Sequence, residues 1–391
     1  MQPYTKGIAL AMSFAAISSA SAYSQKTSTD ATTSVPVAGV YIQGPDGVYV
    51  YDVSAAGKLT TLKGSPFWIS GQMGGVRGSY LISEGTDNLR TYKIESNGAL
   101  GGKVAEIDTQ KYGGSQCGTI NGSPLLDRTG QYFAVSLYGG ASCAALQTYK
   151  IASNGAFTFL GDSESAYGYH GAAFQTGVST YSSNDLFAYG IQGQVYANGF
   201  LAYKRGAAGD LVTDSSFTQT GPTPNPSDNR GSYEPVFAAA DPANHLAAVM
   251  NQPFGPSSAL SLASYTIDNS TGAITSTNTY LDMPVLEILA GDIAMSWGGN
   301  LLAVGGVPGL QLFHFNGAAP ATAFGGVLLP KVVIDQVAWD KNNHLFALSL
   351  QSQELYVFTV TPTSITEAPG SPYKADDGTY SWNGLMVVPK S

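Results

Sequence analysis

The sequence predicts an all-β protein: a seven-bladed β-propeller with four antiparallel strands per blade, its ring closed by the C-terminal strand completing the first blade. Three observations carry this reading. One strand phrase recurs about seven times along the chain. The composition is rich in turn formers and tyrosine and poor in charge. The first repeat lacks a strand that the C-terminus holds in spare.

The phrase is a short apolar strand with an aromatic anchor, then a turn and a Gly-x-Leu step. It reads V-Y-V-Y-D-V-S-A-A-G-K-L at Val48–Leu59 and L-R-T-Y-K-I-E-S-N-G-A-L at Leu89–Leu100. It returns at Leu146–Phe157, Phe200–Leu211 and Leu262–Ile274, and in decayed form at Leu310 and Leu355. The anchors are Tyr51, Tyr92, Tyr149, Tyr203, Tyr265, Phe313 and Phe358, roughly 40–60 residues apart. Alternating strands at that period are the signature of propeller blades. With 47 Gly, 23 Tyr and only 12% charged residues, the composition suits an exported all-β chain with many tight turns.

Taken in order, residues 1–22 read as a signal peptide. Lys6 precedes an apolar run at 7–17, and Ala20-Ser21-Ala22 fits a cleavage site. The run is too short to span a bilayer; the alternative is a buried N-terminal helix. Residues 23–37 read as a flexible tether and 38–391 as the propeller. The chain is expected to be exported, to the periplasm or beyond the cell.

Strands in each blade are lettered A, innermost, to D, outermost. The phrase occupies strand C. The first blade has B (Gly39–Gln43), C (Val48–Val53) and D (Leu59–Lys63) but no A. Trp382–Pro389 supplies one, which leaves no open sheet edge. Blade three shows the whole plan, with A at Ser123–Asp127, B at Gln131–Tyr138, C at Leu146–Ile151 and D at Phe157–Asp162. Asp-rich A–B turns recur at Asp127–Gly130, Asp241–His245 and Asp340–His344. The D–A and B–C loops then share one rim, and the A–B and C–D turns share the other.

The net charge is −9 with no basic cluster, which excludes nucleic acid and disfavours anionic membrane surfaces. No zincin, P-loop, nucleophile-elbow or EF-hand pattern is present, so no metal and no cofactor is expected. A monomer is expected. Cys117 and Cys143 both fall on the D–A rim of blade three and read as one disulfide. Such a bridge would contribute roughly 3 kcal/mol in the chain-entropy model. Two separate thiols are the alternative.

Two further steps, G-S-P-F at Gly64–Phe67 and G-S-P-Y at Gly370–Tyr373, complete the phrase. With them the chain resembles the lactonase-type seven-bladed propellers. That family includes bacterial 6-phosphogluconolactonases, fungal muconate-lactonising enzymes and exported bacterial paralogues. The resemblance implies a small-molecule lactone or carbohydrate ligand at the channel mouth. Its enzymes carry a Pro-His and an Arg-His pair at the inner ends of the D–A loops. This chain has neither dipeptide. The nearest match by position is His170, before strand A of blade four, with Arg230 and Glu234 in the same stretch one blade on.

In these positions His170 would act as general base on a water, Arg230 would steady the oxyanion, and Glu234 would orient His170 or serve as acid. The plainer readings are a hydrogen-bonded loop histidine, a loop-anchoring arginine and an Arg230–Glu234 ion pair. Asp292, expected before strand A of blade six, would add to the cluster or cap a turn. Tyr112, Tyr167, Tyr169 and Tyr233 lie on D–A loops and suit ligand stacking, or pack long loops. Arg77 is expected to open blade two, pointing inward. His245 and His344 read as solvated turn residues on the opposite rim, and His314 as part of a C strand. A phosphorylated substrate is disfavoured by the acidic composition and by export. The alternative function is a non-catalytic propeller that binds a ligand or a protein partner through the long-loop rim.

Overall fold

The computed structural model describes residues 35–112, 119–120, 125–138, 144–164, 174–193, 199–227, 232–252, 259–375 and 382–390. The expected signal segment, residues 23–34 of the tether, Cys117, Cys143, Tyr167, Tyr169, His170 and Arg230 lie outside the described residues.

Seven small antiparallel sheets succeed one another around a ring. Their inner strands, from blade one to blade seven, are Gly384–Pro389, Gln72–Arg77, the pair Thr119–Ile120 and Leu125–Leu126, Phe174–Tyr181, Glu234–Ala240, Leu289–Met295 and Gln336–Trp339. Each touches the next, and blade seven touches blade one. The first blade is closed as expected: Gly384–Pro389 pairs antiparallel with Ala38–Gly44, from Ala38 opposite Pro389 to Gln43 opposite Gly384. Two details differ from the expectation. In blade three the described inner-strand pairings are Thr119–Ile120 and Leu125–Leu126 against strand B, so pairing also begins ahead of the expected Ser123. Blade five gains a parallel strip, Gln219–Thr220 beside Ile274–Thr275, from the long connection out of blade four.

One hydrophobic cluster fills each of the seven blade-to-blade interfaces. Strand alternation produces this arrangement. On strand B of blade two, Leu81 packs toward blade one and its neighbour Ile82 toward blade three. All seven aromatic anchors are buried, and each contributes about 1.5–3 kcal/mol of burial.

The Gly-x-Leu step has its own cause. Its glycine sits at positive φ and receives a ring from strand B of the preceding blade. A Cβ on Gly272 would lie 2.3 Å from Phe187, and one on Gly209 2.5 Å from Tyr132. The rings of His245 and His344 fill the same role against Gly317 and Gly57. His344 thereby carries the contact from blade seven across to blade one. The two histidines are therefore not solvated turn residues. His344 is 1% exposed, and its Nδ1 lies 2.6 Å from Asp340 Oδ2. His245 Nδ1 lies 2.8 Å from Asp241 Oδ2. In each turn the other carboxylate oxygen accepts two backbone N–H groups, from Asn342 and His344 or from Ala243 and His245. His314 lies in strand C of blade six and stacks on Phe324.

The G-S-P steps are also structural. Ser65 Oγ accepts the Val50 N–H, and Ser371 Oγ accepts the Val357 N–H. Each serine ties the outer connection back onto strand C.

Candidate functional site at the D–A mouth

The D–A mouth of the central ring is built from the first residue of each inner strand and its partner at the end of strand B. The described pairs are Gly384 with Gln43, Gln72 with Glu84, Thr119 with Tyr138, Phe174 with Gly193, Glu234 with Asn251, Leu289 with Val307 and Gln336 with Leu348. Just below this level the register slips between Met73 and Gly75, between Pro235 and Phe237, and between Ala290 and Asp292. Gly74, Val236 and Gly291 are the extra residues. A bulge bends its strand and re-aims the neighbouring side chains. Three blades repeat it at one level.

Several polar groups at this level hold the ring together. Gln43 donates to Gly71 O and accepts from Met73 N, each at 2.7 Å, joining blade one to blade two. Gln336 Oε1 accepts Leu385 N at 2.6 Å, joining blade seven to blade one. Asp292 lies inside its strand rather than before it. Its Oδ2 accepts Val337 N at 2.8 Å, and its Oδ1 accepts Ile293 N. Burial pushes its carboxyl up to about 6. Asp292 is therefore a clasp between blades six and seven, with both oxygens engaged.

Glu234 is the first residue of its inner strand, and burial raises its carboxyl above the ordinary range. Tyr233, beside it, packs partly buried on the core between blades four and five. The remaining described candidates stand apart from this pair. Tyr112 follows the outer strand of blade two and stacks on Phe159 of the outer strand of blade three, with centroids 4.8 Å apart. Arg77 ends its inner strand instead of opening it. That puts it on the opposite rim, where Nη1 reaches Thr129 O at 3.4 Å. The inner strand begins five residues earlier than expected, at Gln72, which moves Arg77 from its first position to its last.

Sequence reading missed Glu84. It ends strand B of blade two, opposite Gln72. Burial lifts its carboxyl to about 7, and its Oε2 is buried without a partner. Asn251, opposite Glu234, likewise has a buried Oδ1 without one. The signal was present in the sequence: a charged residue closing an apolar strand, L-I-S-E. Among the described residues no three metal-ligating side chains gather, and no helix is long and apolar enough to cross a membrane.

A cavity of about 550 Å³ opens on the opposite rim, between blades one and two. Tyr41, Asp52, Glu95 and Lys390 help line it, and Lys390 is committed to Asp52 and to Asn97 O. None of the predicted site residues lines it.

No protein-family model matches the chain, and no curated protein is detectably similar in sequence. Solved structures do share the fold. A putative 6-phosphogluconolactonase from Bacteroides fragilis superposes with a TM-score of 0.60 at 11% identity, covering 92% of this chain and 100% of that one. A periplasmic gluconolactonase from Pseudomonas aeruginosa gives 0.58 at 11%, covering 90% and 99%. A functionally unknown protein from Desulfotomaculum acetoxidans gives 0.56 at 16%, covering 90% and 99%. The chain has the seven-bladed fold of these lactonase-type propellers.

Proposed function

We propose that this protein is an exported lactone hydrolase acting at the D–A mouth. The observation that carries the reading is Glu234, a carboxyl opening an inner strand at the mouth and raised by burial. A carboxyl at this position can give or take a proton on a lactone held at the mouth. The names of the fold neighbours, a putative 6-phosphogluconolactonase and a periplasmic gluconolactonase, support the reaction class.

In the reaction, water attacks the ring carbonyl as His170 takes its proton. Arg230 stabilises the oxyanion. When the tetrahedral intermediate collapses, the ring C–O bond breaks and the leaving alkoxide takes a proton from the catalytic acid. Glu234 fills that acid role or holds His170 in place. The product is an open-chain hydroxy acid. Export rests on Lys6, the apolar run and Ala20-Ser21-Ala22, and the periplasmic neighbour is consistent with it. An exported, acidic chain is better matched to an unphosphorylated lactone than to a sugar phosphate.

The test is hydrolysis of a panel of unphosphorylated sugar and aliphatic lactones by the mature chain, with His170→Ala and Glu234→Gln beside it. Loss of general acid–base assistance is expected to lower kcat by roughly 10²–10⁴ with melting unchanged. Unchanged turnover removes that residue from the mechanism. No turnover of any lactone by folded protein overturns the reading in favour of a non-catalytic propeller that binds through the same rim.

A further inference from the structure

Among the described residues the mouth is chemically lopsided. Blades one, two, five and seven meet it with Gln43, Gln72, Glu84, Glu234, Asn251 and Gln336, whereas blade six meets it with Leu289 and Val307. These two are register partners, so their backbones are adjacent. Both are exposed, Leu289 at 59% and Val307 at 45%. Two further exposed valines lie on the same rim, in the adjoining blade. Val236, at the bulge of the neighbouring inner strand, is 38% exposed. Val285, bridged to Ser261 on the connection into blade six, is 58% exposed. Gly291, the bulge residue of blade six, adds no side chain to cover them.

Exposed aliphatic side chains scattered singly need no explanation, but an exposed pair of register partners at the mouth of a binding site does. Val236 lies two residues from Glu234 on one inner strand, and Leu289 opens the next inner strand at the same level as Glu234. The apolar pair thus opens the inner strand next to the one that opens with the carboxyl on which the lactonase reading rests.

We propose that blade six forms an alkyl subsite and that the substrate is a lactone carrying an aliphatic chain, not a polyhydroxylated sugar lactone. The inference rests on the reading of the mouth as a lactonase site. The lactone ring lies toward Glu234, and its alkyl substituent runs over Leu289 and Val307. A sugar lactone would place hydroxyls against these aliphatic side chains, which offer no donor or acceptor and leave their desolvation uncompensated.

The experiment is a homologous series of γ-alkyl lactones, from γ-butyrolactone to γ-decalactone, with glucono-δ-lactone as the polar comparison. Each methylene buried on blade six is expected to raise kcat/KM by about three- to fourfold until the patch is covered. Leu289→Ser and Val307→Ser, each on an exposed side chain, should flatten that slope. Val212→Ser, an equally exposed valine on the outer strand of blade four, should leave it intact. Turnover without chain-length dependence, or a preference for glucono-δ-lactone, overturns the alkyl subsite and leaves the lactonase reading standing. If no lactone turns over, the lactonase reading fails, and the subsite is judged by calorimetric binding of the matching 5-alkyl-2-pyrrolidinones. Affinity that rises with chain length and is flattened in Leu289→Ser supports the alkyl subsite. Affinity independent of chain length, or no binding, overturns it.

Discussion

The two rims of the propeller are made by different rules. On the A–B and C–D rim, blades three to six repeat the same device: a carboxylate- or serine-centred turn and a positive-φ glycine under a neighbour's ring. Contacts run from turn to turn around the ring. Asp185 receives the backbone N–H groups of Arg128 and Thr129, Arg128 reaches Asp241 O, Asn244 receives Ser183 N, and Trp297 donates to Trp339 O. On the D–A rim the residues at equivalent positions differ from blade to blade: Gln72, Glu234, Leu289, Gln336. Repetition there would give a ring of identical groups, which suits a scaffold. Divergence gives a mouth with a polar arc and an apolar arc, which suits recognition of a ligand with two ends.

The largest effect is expected from breaking the ring itself. Deleting residues 384–391 exposes the strand edge of Ala38–Gly44 along its length. The expected outcome is loss of the cooperative thermal transition; a variant that keeps a native-like melt would mean that three strands suffice in blade one. Next comes a substitution on the repeating rim. Gly272→Ala combines a positive φ of 72° with a Cβ 2.3 Å from Phe187. A loss of about 3 kcal/mol is expected in chemical denaturation. Asp340→Ala strands two backbone N–H groups and the buried His344 ring, and should cost about 2–3 kcal/mol.

The D–A rim should behave otherwise. Leu289→Ser, on an exposed side chain, should stay within about 0.5 kcal/mol of the parent. A loss comparable to Gly272→Ala would show that this mouth is structural too. Glu84 supplies a smaller and pH-dependent effect. Its folded-state carboxyl sits at about 7, above the ordinary carboxylate range, because burial penalises the charge. Between the ordinary value and about 7 the folded state therefore holds more protons than the unfolded one. Stability should fall as pH rises through that window and level off above it. Glu84→Gln should remove that slope, as read from melts between pH 4 and 8; an unchanged slope would locate the titration elsewhere.

The fold was legible because its signals are local and repeated. The aromatic anchors, the Gly-x-Leu turns and the spare terminal strand each follow from chain-local chemistry, and seven weak copies reinforce one another. The mouth was legible only in part. Glu234 was found because it follows the D–A loop directly. Glu84 was not, since its unusual proton affinity comes from burial, which only the assembled blades produce. Arg77 and Asp292 show the converse. Shifting a residue along a strand by a few positions decides which rim it serves, and loop-to-strand boundaries are the least certain feature of a sequence reading.

The sequence by itself determined that this chain alternates buried and exposed positions, turns at its glycines and closes on its own C-terminus. These depend on steric and hydrophobic rules that act within a few residues. Only the tertiary structure decided that His344 is buried against Gly57 rather than solvated, that Asp292 clasps blade seven, and that aliphatic side chains gather at one side of the mouth. Those outcomes depend on which blades become neighbours. Adjacency in a closed ring is fixed by the packing of all seven blades, and no single segment encodes it.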